Sequence, residues 1–250
     1  MNLYMKHFLG LDIGSVNVKL SLVDEAGNVV YQDIERVVSN PKIAVNSLLA
    51  RLDTKFSLDR ITSAGVSGTG KSIVPGEFGW QEYSSAIAIA SGVLHQHADA
   101  RTIIQIGGQS SLVIELQDGL SRPWKVASNP LCAAGTGRFL EQQAYRLGIS
   151  MDDFARIAQG CREKPPRIAA RCSVFAKSDL IHLQQKGVPV EQMLASLCES
   201  VARMVTSLHK GAFAEPVFFV GGVAASAAIA SALNDIISNR NQHPVQVSVP

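Results

Sequence analysis

Apolar and polar residues alternate along the first part of the chain in runs typical of β-strands. The runs HFLGLDI and NVKLSLVD are joined by a Gly-Ser turn, and GNVVYQDIERVV follows a second turn at Gly27. These runs predict an antiparallel meander of three strands. Helical spacing of apolar residues predicts a helix in PKIAVNSLLARL and another in SSAIAIASGVLHQHA, with a buried strand, DRITSAGVSG, between them.

The second part of the chain predicts further strands and a series of helices. The segment RTIIQIGGQSSLVIELQDG predicts two strands around a glycine turn. Helices are predicted for FLEQQAYRLG, for MDDFARIAQG behind a capping box of Ser150 and Asp153, for CSVFAKSDLIHLQQKG, and for VPVEQMLASLCESVARMVTSLHK. The segment EPVFFVGGVAASAAIASALNDII predicts a strand, a glycine turn and a helix, and VQVSVP predicts a last strand.

Three glycine turns follow apolar strands: DIGS at residues 12 to 15, QIGGQS at 105 to 110 and FVGGVA at 219 to 224. One glycine after a strand usually indicates only a turn. Glycine also lets main-chain N–H groups approach phosphate oxygens, because no Cβ stands in the way. The repetition therefore predicts a nucleotide site in which two turns hold the phosphates and the third covers the adenosine.

A competing motif, GVSGTGKS at residues 65 to 72, fits the P-loop pattern. A P-loop continues into a helix directly after its Lys-Ser, but here Pro75 and Gly76 follow within a few residues of Lys71. Proline and glycine in a helix interior cost about 3 and 1 kcal/mol. The sequence therefore favours a polar turn near the nucleotide over a true P-loop.

Charge and composition narrow the class of protein. The formal net charge of the 250 residues is +2, and no basic run with interleaved aromatic residues indicates a nucleic-acid partner. No apolar stretch approaches membrane-spanning length, and the N-terminus shows no signal-peptide pattern. Four cysteines without close spacing suit a reducing compartment. We expect a cytoplasmic protein with neither a nucleic-acid nor a membrane partner.

Two cysteines lie among small residues where the chain is predicted to enter a helix: Cys132 in NPLCAAGTGRFLE and Cys172 in AARCSVFAKSDLI. A helix N-terminus stabilises a thiolate. Neither cysteine belongs to a CxxC pair, so a four-thiolate cluster built on Cys132 and Cys172 would take these two cysteines from each subunit of a homodimer.

Other interpretations of the cysteines stay open at this point. Free cysteine is most often a small buried hydrophobe. Cys161, beside Gly160, and Cys198, within MLASLCESVARMV, are predicted to be helix-end and core residues. A site within one chain that uses all four cysteines is the remaining alternative.

The order of the motifs DIGS, IGGQ, CAAGTGRFLE, ARCSVFAKSD and GGVA resembles the BadF/BadG/BcrA/BcrD family, the activator ATPases of 2-hydroxyacyl-CoA dehydratases. The resemblance covers nearly the whole chain. It implies the actin-like, sugar kinase and Hsp70 ATPase fold, an α/β fold of two ribonuclease-H-like domains with ATP in the cleft between them. We expect residues 1–98 to form the first domain and residues 99–250 the second.

The resemblance also implies a function. A homodimer would share one [4Fe-4S] cluster held by Cys132 and Cys172 of each subunit, take an electron from a donor such as ferredoxin or flavodoxin, and pass it to an iron–sulfur dehydratase or reductase, driven by ATP. Asp12 would hold Mg²⁺ through water. The remaining nucleotide contacts would come from one set of residues: Gly14, Ser15 and Lys19 at the first phosphate turn, Gly107, Gly108 and Gln109 at the second, and Gly221 and Gly222 beside adenosine.

The chain departs from the family's pattern in two respects. The second phosphate motif of the family reads DIGGQD, whereas this chain has QIGGQS, with Gln105 and Ser110 in place of the two acids. Loss of a carboxylate weakens hard-cation binding and removes a possible base, so nucleotide binding is a safer expectation than rapid hydrolysis with Gln105 at a catalytic position. The closing helix of the first domain has no counterpart, so we expect a fragment of a longer activase.

Two other functions are compatible with the same fold. A sugar or N-acetylhexosamine kinase would need a carboxylate base and would leave the cysteine motifs unused. A noncatalytic nucleotide-binding domain that regulates a redox partner is favoured by Gln105 and by the apparent truncation.

Overall fold

The computed structural model describes residues 6–74, 79–122, 124–129 and 135–250. The chain divides into two compact units, Met1–Ile89 and Ala90–Pro250. The division falls within one helix, Ser85–Gln96, and the domain boundary after residue 98 that the sequence suggests stays a prediction.

Unit 1 contains a five-stranded sheet and one long helix. Its elements are β1 His7–Ile13, β2 Asn17–Asp24, β3 Val29–Arg36, α1 Pro41–Asp53, β4 Ile61–Ser67 and β5 Gln81–Glu82. The sheet order is β3-β2-β1-β4-β5, in which β1 to β3 form the predicted antiparallel meander and β4 runs parallel to β1. The two parallel strands therefore end at the same edge of the sheet.

The helix α1 begins and packs as its sequence predicts. The Asn40 side chain accepts a hydrogen bond from the Lys42 backbone N–H, and Pro41 occupies the first turn, where its missing N–H costs nothing. The apolar stripe of α1 covers the buried face of β1 and β2, including Leu11 and Leu20. On the other side of the helix, the guanidinium of Arg51 contacts carboxylates of β3 and holds the pKa of one, Asp33, at about 2.

Unit 2 repeats the sheet with more helices. After α2 Ser85–Gln96, its elements are β6 Thr102–Ile106, β7 Ser111–Glu115, β8 Lys125–Ser128, α3 Gly137–Arg146, α4 Met151–Gly160, α5 Ser173–Gln185, α6 Val190–Thr206, β9 Val217–Val220, α7 Ala227–Asn241 and β10 Val247–Ser248.

The second sheet has the order β10-β9-β6-β7-β8. The pairs β6–β7 and β7–β8 are antiparallel, while β9 runs parallel to β6 and β10 runs parallel to β9. Strands β6, β7, β8, β9 and β10 thus have the positions of β1, β2, β3, β4 and β5. Two α/β units with one common strand order agree with the predicted pair of ribonuclease-H-like domains.

The core of unit 2 lies between its sheet and the helices α3 to α7. The longest helix, α6, has its apolar face fully buried, with Leu194, Leu197 and Val201 at 0 % exposure. Burial of each such side chain contributes about 1.5–3 kcal/mol. The α4 helix begins at the predicted cap, where the Ser150 hydroxyl accepts from the Asp153 N–H.

Candidate functional site

The first glycine turn places one carboxylate at the end of β1. Leu9, Leu11 and Ile13 alternate into the core, so Asp12 lies on the opposite face, where its side chain is 38 % exposed. Gly14 closes the turn by donating its N–H to the Asn17 carbonyl at 3.0 Å. A Cβ on Gly14 would lie 2.9 Å from that oxygen, so the turn requires glycine.

The register of the sheet then surrounds Asp12 with polar groups. Lys19 is directly opposite Asp12 in the antiparallel β1–β2 pair, and its Nζ lies 3.2 Å from Asp12 Oδ2. Ser67 is the partner of Asp12 in the parallel β1–β4 pair, and its hydroxyl donates to Asp12 Oδ1 at 3.4 Å. The carboxylate is therefore held by a cation on one side and a hydroxyl on the other. The structure places Lys19 beside Asp12, with Ser15 exposed in the intervening turn, and the roles of these residues toward nucleotide stay predictions.

The GTGKS segment packs against the same turn. Gly68 has φ +95°, and a Cβ there would lie 2.4 Å from the Ile13 carbonyl oxygen. The Gly70 N–H donates to that same oxygen at 3.0 Å. Lys71 starts a single 3-10 turn, Lys71–Ile73, and forms an ion pair with Glu82 on β5 at 2.6 Å. Up to residue 74, where this described range ends, Lys71 is followed by that single turn and not by the α-helix of a P-loop, and the segment lies beside Asp12.

The second glycine turn has the same backbone arrangement as the first, but a neutral side chain takes the place of the Asp12 carboxylate. Gln105 is the residue before Ile106 at the end of β6, as Asp12 precedes Ile13. The Gly107 N–H donates to the Ser110 carbonyl at 2.8 Å, and a Cβ on Gly107 would lie 2.6 Å from Gln105 Nε2. The Gln105 side chain therefore lies over the turn, and its Oε1 is buried with no hydrogen-bond partner in the described part of the chain.

The start of α3 forms backbone hydrogen bonds with the second glycine turn. The N–H groups of Gly137 and Arg138 donate to the Gly107 and Gly108 carbonyls, each at 2.9 Å. A Cβ on Gly137 would meet Gly107 O at 3.3 Å and Val223 Cγ1 at 3.1 Å. The absence of a side chain at Gly137 thus allows the close backbone approach at this point. Gly137 and Arg138 were not among the predicted nucleotide residues, since only the tertiary fold shows which turn they contact.

The third glycine turn uses its first glycine to pack on β6. Gly221 has φ +108°, and a Cβ there would lie 2.3 Å from the Ile106 carbonyl oxygen. Gly222 faces open space. Gly221 therefore takes the place in unit 2 that Gly68 takes in unit 1, and α7 begins a short distance later at Ala227.

The described cysteines have three different environments. Cys172 is half-buried and is the N-cap residue of α5, as its sequence predicts. Cys161 is the C-cap of α4, and its thiol lies 3.2 Å from the Glu163 carbonyl. Cys198 is 1 % exposed in the core, and burial raises the pKa of its thiol to about 12. The predicted ligand Cys132 lies outside the described residues.

The described cysteines do not form a complete metal centre. Within residues 6–74, 79–122, 124–129 and 135–250, His, Cys, Asp and Glu side chains do not gather in any group of three or more that would hold a metal ion. In the same ranges, every helix is too short or too polar to cross a bilayer.

Comparison with known proteins gives a consistent result. The model of the BadF/BadG/BcrA/BcrD ATPase family matches residues 9–250. The activator of lactoyl-CoA dehydratase from Anaerotignum propionicum is 30% identical over 239 residues, which are 92% of this chain and 88% of that protein.

Two solved structures share the fold along almost the whole chain. The ADPNP-bound activator of the 2-hydroxyisocaproyl-CoA dehydratase from Clostridium difficile has a TM-score of 0.84 at 27% identity, covering 98% of this chain and 88% of that one. Component A of the Acidaminococcus fermentans (R)-2-hydroxyglutaryl-CoA dehydratase has a TM-score of 0.86 at 25% identity, covering 98% and 91%. The predicted family and fold class are confirmed, and the chain belongs to the BadF/BadG/BcrA/BcrD ATPase family.

Proposed function

We propose that the protein is an ATP-dependent one-electron-transfer activator of an iron–sulfur 2-hydroxyacyl-CoA dehydratase or a related acyl-CoA reductase. Family membership along residues 9–250 and the activator relatives support this proposal. The observation that carries the ATP-dependent part is the position of Asp12, a half-exposed carboxylate at the edge of a parallel strand pair, between Lys19 and Ser67.

Each unit is proposed to contribute its glycine turn to nucleotide binding. In unit 1, Asp12 orders the water shell of Mg²⁺, since Mg²⁺ keeps several waters and prefers carboxylate oxygens. The Gly14–Ser15 turn and Lys19 bind phosphate oxygens, and Lys19 exchanges part of its ion pair with Asp12 for a phosphate contact. A lysine already held at 3.2 Å from the metal-ordering carboxylate needs little reorganisation to do so.

In unit 2, the proposed contacts involve main-chain groups. Gly107, Gly108 and Gln109 present the second phosphate turn, and the α3 N-terminus keeps that turn in place through Gly137 and Arg138. Gly221 and Gly222 border the adenosine. Gly221 also packs closely against the backbone of β6, and this contact fixes the start of the third turn.

Of the described cysteines, Cys172 is the one that we propose as a ligand in a shared thiolate site. Cys172 is half-buried at the N-terminal end of a 13-residue helix. Cys198 does not fit, because burial raises the pKa of its thiol to about 12 and keeps it protonated. We propose that Cys132 and Cys172 of two subunits hold a [4Fe-4S] cluster. When bound, such a cluster supplies a one-electron carrier.

The proposed partners follow from this arrangement. Two identical chains supply four thiolates across a two-fold axis. An electron donor of the ferredoxin or flavodoxin type reduces the dimer, and a dehydratase or reductase component receives the electron. This partner class is the one named for the relatives, such as the activator of lactoyl-CoA dehydratase.

A second candidate function is ATP binding with negligible turnover. The observation that favours it is Gln105, which is neutral where the equivalent strand of unit 1 carries Asp12. In this alternative, the nucleotide state regulates a bound redox partner without multiple turnovers. Single-turnover and steady-state ATP hydrolysis, measured with and without the reductant and partner, separate the two functions.

Anaerobic reconstitution tests the proposed electron-transfer function. We expect about four irons per dimer, together with a broad visible absorbance that is bleached by reductant. Cys132→Ser or Cys172→Ser should abolish the absorbance and weaken the dimer, because a shared metal site contributes association energy.

Cys161→Ser is the matched control, since Cys161 is also half-buried at a helix end. It should retain iron and dimer alike. A monomer with a complete cluster, or equal loss of iron in the Cys161→Ser control, contradicts the proposal.

A further inference from the structure

The GTGKS segment, residues 68–72, follows β4 and takes no part in the nucleotide contacts proposed above. Its composition is typical of a phosphate-binding loop, in which glycines allow close approach and a lysine reaches the terminal phosphates. Up to residue 74 the segment lacks the α-helix of a P-loop, so its lysine needs a different support. That support comes from the first glycine turn of unit 1.

Two glycines of this segment pack against the end of β1. A Cβ on Gly68 would lie 2.8 Å from Asp12 Oδ1, so the segment passes directly beside the carboxylate. The Gly70 N–H donates to the Ile13 carbonyl at 3.0 Å, and a Cβ on Gly70 would lie 2.5 Å from Ile13 Cγ2. The backbone before Lys71 is therefore held at the strand end that carries Asp12.

The hydrogen bond between Gly70 and Ile13 brings Lys71 close to the first phosphate turn. Lys71 is the next residue after Gly70, and Gly14 is the next residue after Ile13. Consecutive Cα atoms are only about 3.8 Å apart, so Lys71 and Gly14 both lie within one residue of this hydrogen bond. The lysine side chain adds a flexible four-carbon stem with a compact ammonium group at its end. That ammonium group can therefore reach an anion bound at the Gly14–Ser15 turn.

The Lys71 ammonium group is paired with a carboxylate that a phosphate can replace. Its Nζ lies 2.6 Å from Glu82 Oε2, and the two side chains are 43 % and 53 % exposed. Ion pairs this exposed contribute little to stability, because water solvates the separated charges almost as well. A terminal phosphate carries up to about two negative charges and three acceptor oxygens, so it is the stronger partner for an ammonium group.

We propose that Lys71 leaves Glu82 when ATP binds and forms an ion pair with the terminal phosphate. This inference rests on the proposed function, which places the phosphates at the Gly14–Ser15 turn. Lys19 lies on the β2 side of Asp12 and the GTGKS segment lies on the β4 side, so two lysines approach the phosphates from opposite sides of the carboxylate. Because ADP lacks the terminal phosphate, Lys71 distinguishes ATP from ADP, and Glu82 opposes ATP binding by competing for Lys71.

Calorimetry with the full chain and Mg²⁺ tests the contact, with the ATP analogue ADPNP and with ADP as probes. We expect Lys71→Gln to raise the Kd of ADPNP about tenfold, as for loss of a charge-assisted contact, and to change the Kd of ADP less than about twofold. Lys71 is partly exposed, so this change should leave the fold intact. Lys42→Gln, at an exposed lysine of α1 in the same unit, is the matched control and should leave both Kd values unchanged.

Glu82→Gln tests the exchange of partners. Because a neutral amide holds Lys71 less strongly, we expect this change to lower the Kd of ADPNP about two- to fivefold. In the Lys71→Gln background it should have no further effect, since the two residues act through one ion pair. Glu25→Gln, at an exposed glutamate of the same unit, removes the same charge elsewhere and should leave the Kd of ADPNP unchanged.

The outcomes separate this inference from the function on which it rests. A parent chain that binds neither probe overturns the proposed nucleotide function and the role of Lys71 together. A parent chain that binds both probes, with Kd values that Lys71→Gln changes equally or not at all, overturns the role of Lys71 alone. An effect of Glu82→Gln that persists in the Lys71→Gln background likewise overturns the proposed exchange.

Discussion

The two units share one backbone device at the end of their first strand. In unit 1, Gly68 approaches the Ile13 carbonyl, and in unit 2, Gly221 approaches the Ile106 carbonyl; a Cβ would lie 2.4 and 2.3 Å from the respective oxygens. Both glycines have a positive φ, +95° and +108°. The parallel neighbour strand therefore leaves each sheet by the same route, which brings its loop against the first glycine turn.

The side chain before each isoleucine is where the units differ. Asp12 is half-exposed and bonded to Lys19 and Ser67, whereas Gln105 has a buried Oε1 without a partner among the described residues. A desolvated carboxylate at the Gln105 position is costly unless a cation lies beside it. The comparison indicates that the scaffold is duplicated, while the carboxylate that we propose for Mg²⁺ is present in unit 1 and replaced by a neutral amide in unit 2.

Substitution of the two equivalent glycines should have the largest effect. Gly68→Ala and Gly221→Ala each force a Cβ against a backbone carbonyl at positive φ, and we expect each to lower the free energy of unfolding by about 3 kcal/mol or more. Trp80 lies in unit 1 and Trp124 in unit 2, and they are the two tryptophans of the chain. Urea unfolding followed by fluorescence in Trp124→Phe and Trp80→Phe backgrounds therefore reports on each unit separately.

Gly148→Ala is the matched control for this pair. Gly148 also has a positive φ, +69°, but a Cβ there meets nothing within 4 Å. Gly148→Ala should therefore lower the free energy of unfolding only by the cost of placing alanine at positive φ, about 1 kcal/mol. If Gly68→Ala and Gly221→Ala lower the free energy of unfolding no more than this control does, the close approach to the isoleucine carbonyl is not what requires glycine at these two positions.

The next largest effect is expected for substitution of the charged residue of unit 1, Asp12. Asp12→Asn keeps the shape of the side chain and removes its charge, so Mg²⁺ loses its proposed anchor. We expect ATP hydrolysis to fall about 100-fold, in line with loss of one electrostatic contact at a reaction centre. Steady-state phosphate release at several Mg²⁺ concentrations measures it. Asp59→Asn, an exposed aspartate of the same unit, should hydrolyse ATP at the parent rate; an equal loss there would indicate a general charge effect.

Many strands and helices of the two units are predictable, because apolar alternation and helix caps can be recognised in short stretches of the sequence. The antiparallel strands around Gly14 alternate apolar and polar residues, and the Ser150 cap marks the start of α4. The edge strands lack such signals. Strand β8, Lys125–Ser128, has no buried residue and therefore no apolar alternation, and β5 has only two residues. Such elements exist because a neighbouring strand offers hydrogen-bonding groups.

The contacts within the candidate site were less predictable than its motifs. The glycine motifs indicate where close backbone approach is needed, but not which atoms approach. Gly135 has positive φ, and a Cβ there would lie 2.6 Å from Met204 Cγ, on a helix far along the chain. The hydrogen bonds from the start of α3 to Gly107 likewise depend on the tertiary fold. Residue types gave the candidates, and only the register of the sheets showed that Ser67 joins Asp12.

The smallest expected effect tests whether the neutral residue Gln105 in unit 2 limits the rate of ATP hydrolysis. Gln105→Asp restores a carboxylate at the position equivalent to Asp12, and we expect ATP hydrolysis to rise severalfold, about 3- to 10-fold, because the new charge helps order Mg²⁺ or the attacking water. Gln105→Asn has the same shape as the aspartate without its charge, so it should not exceed the parent rate. A gain that appears only with aspartate and grows with Mg²⁺ assigns the effect to charge. Equal rates for the two variants would show instead that side-chain length, or the surrounding turn, sets the rate of this unit.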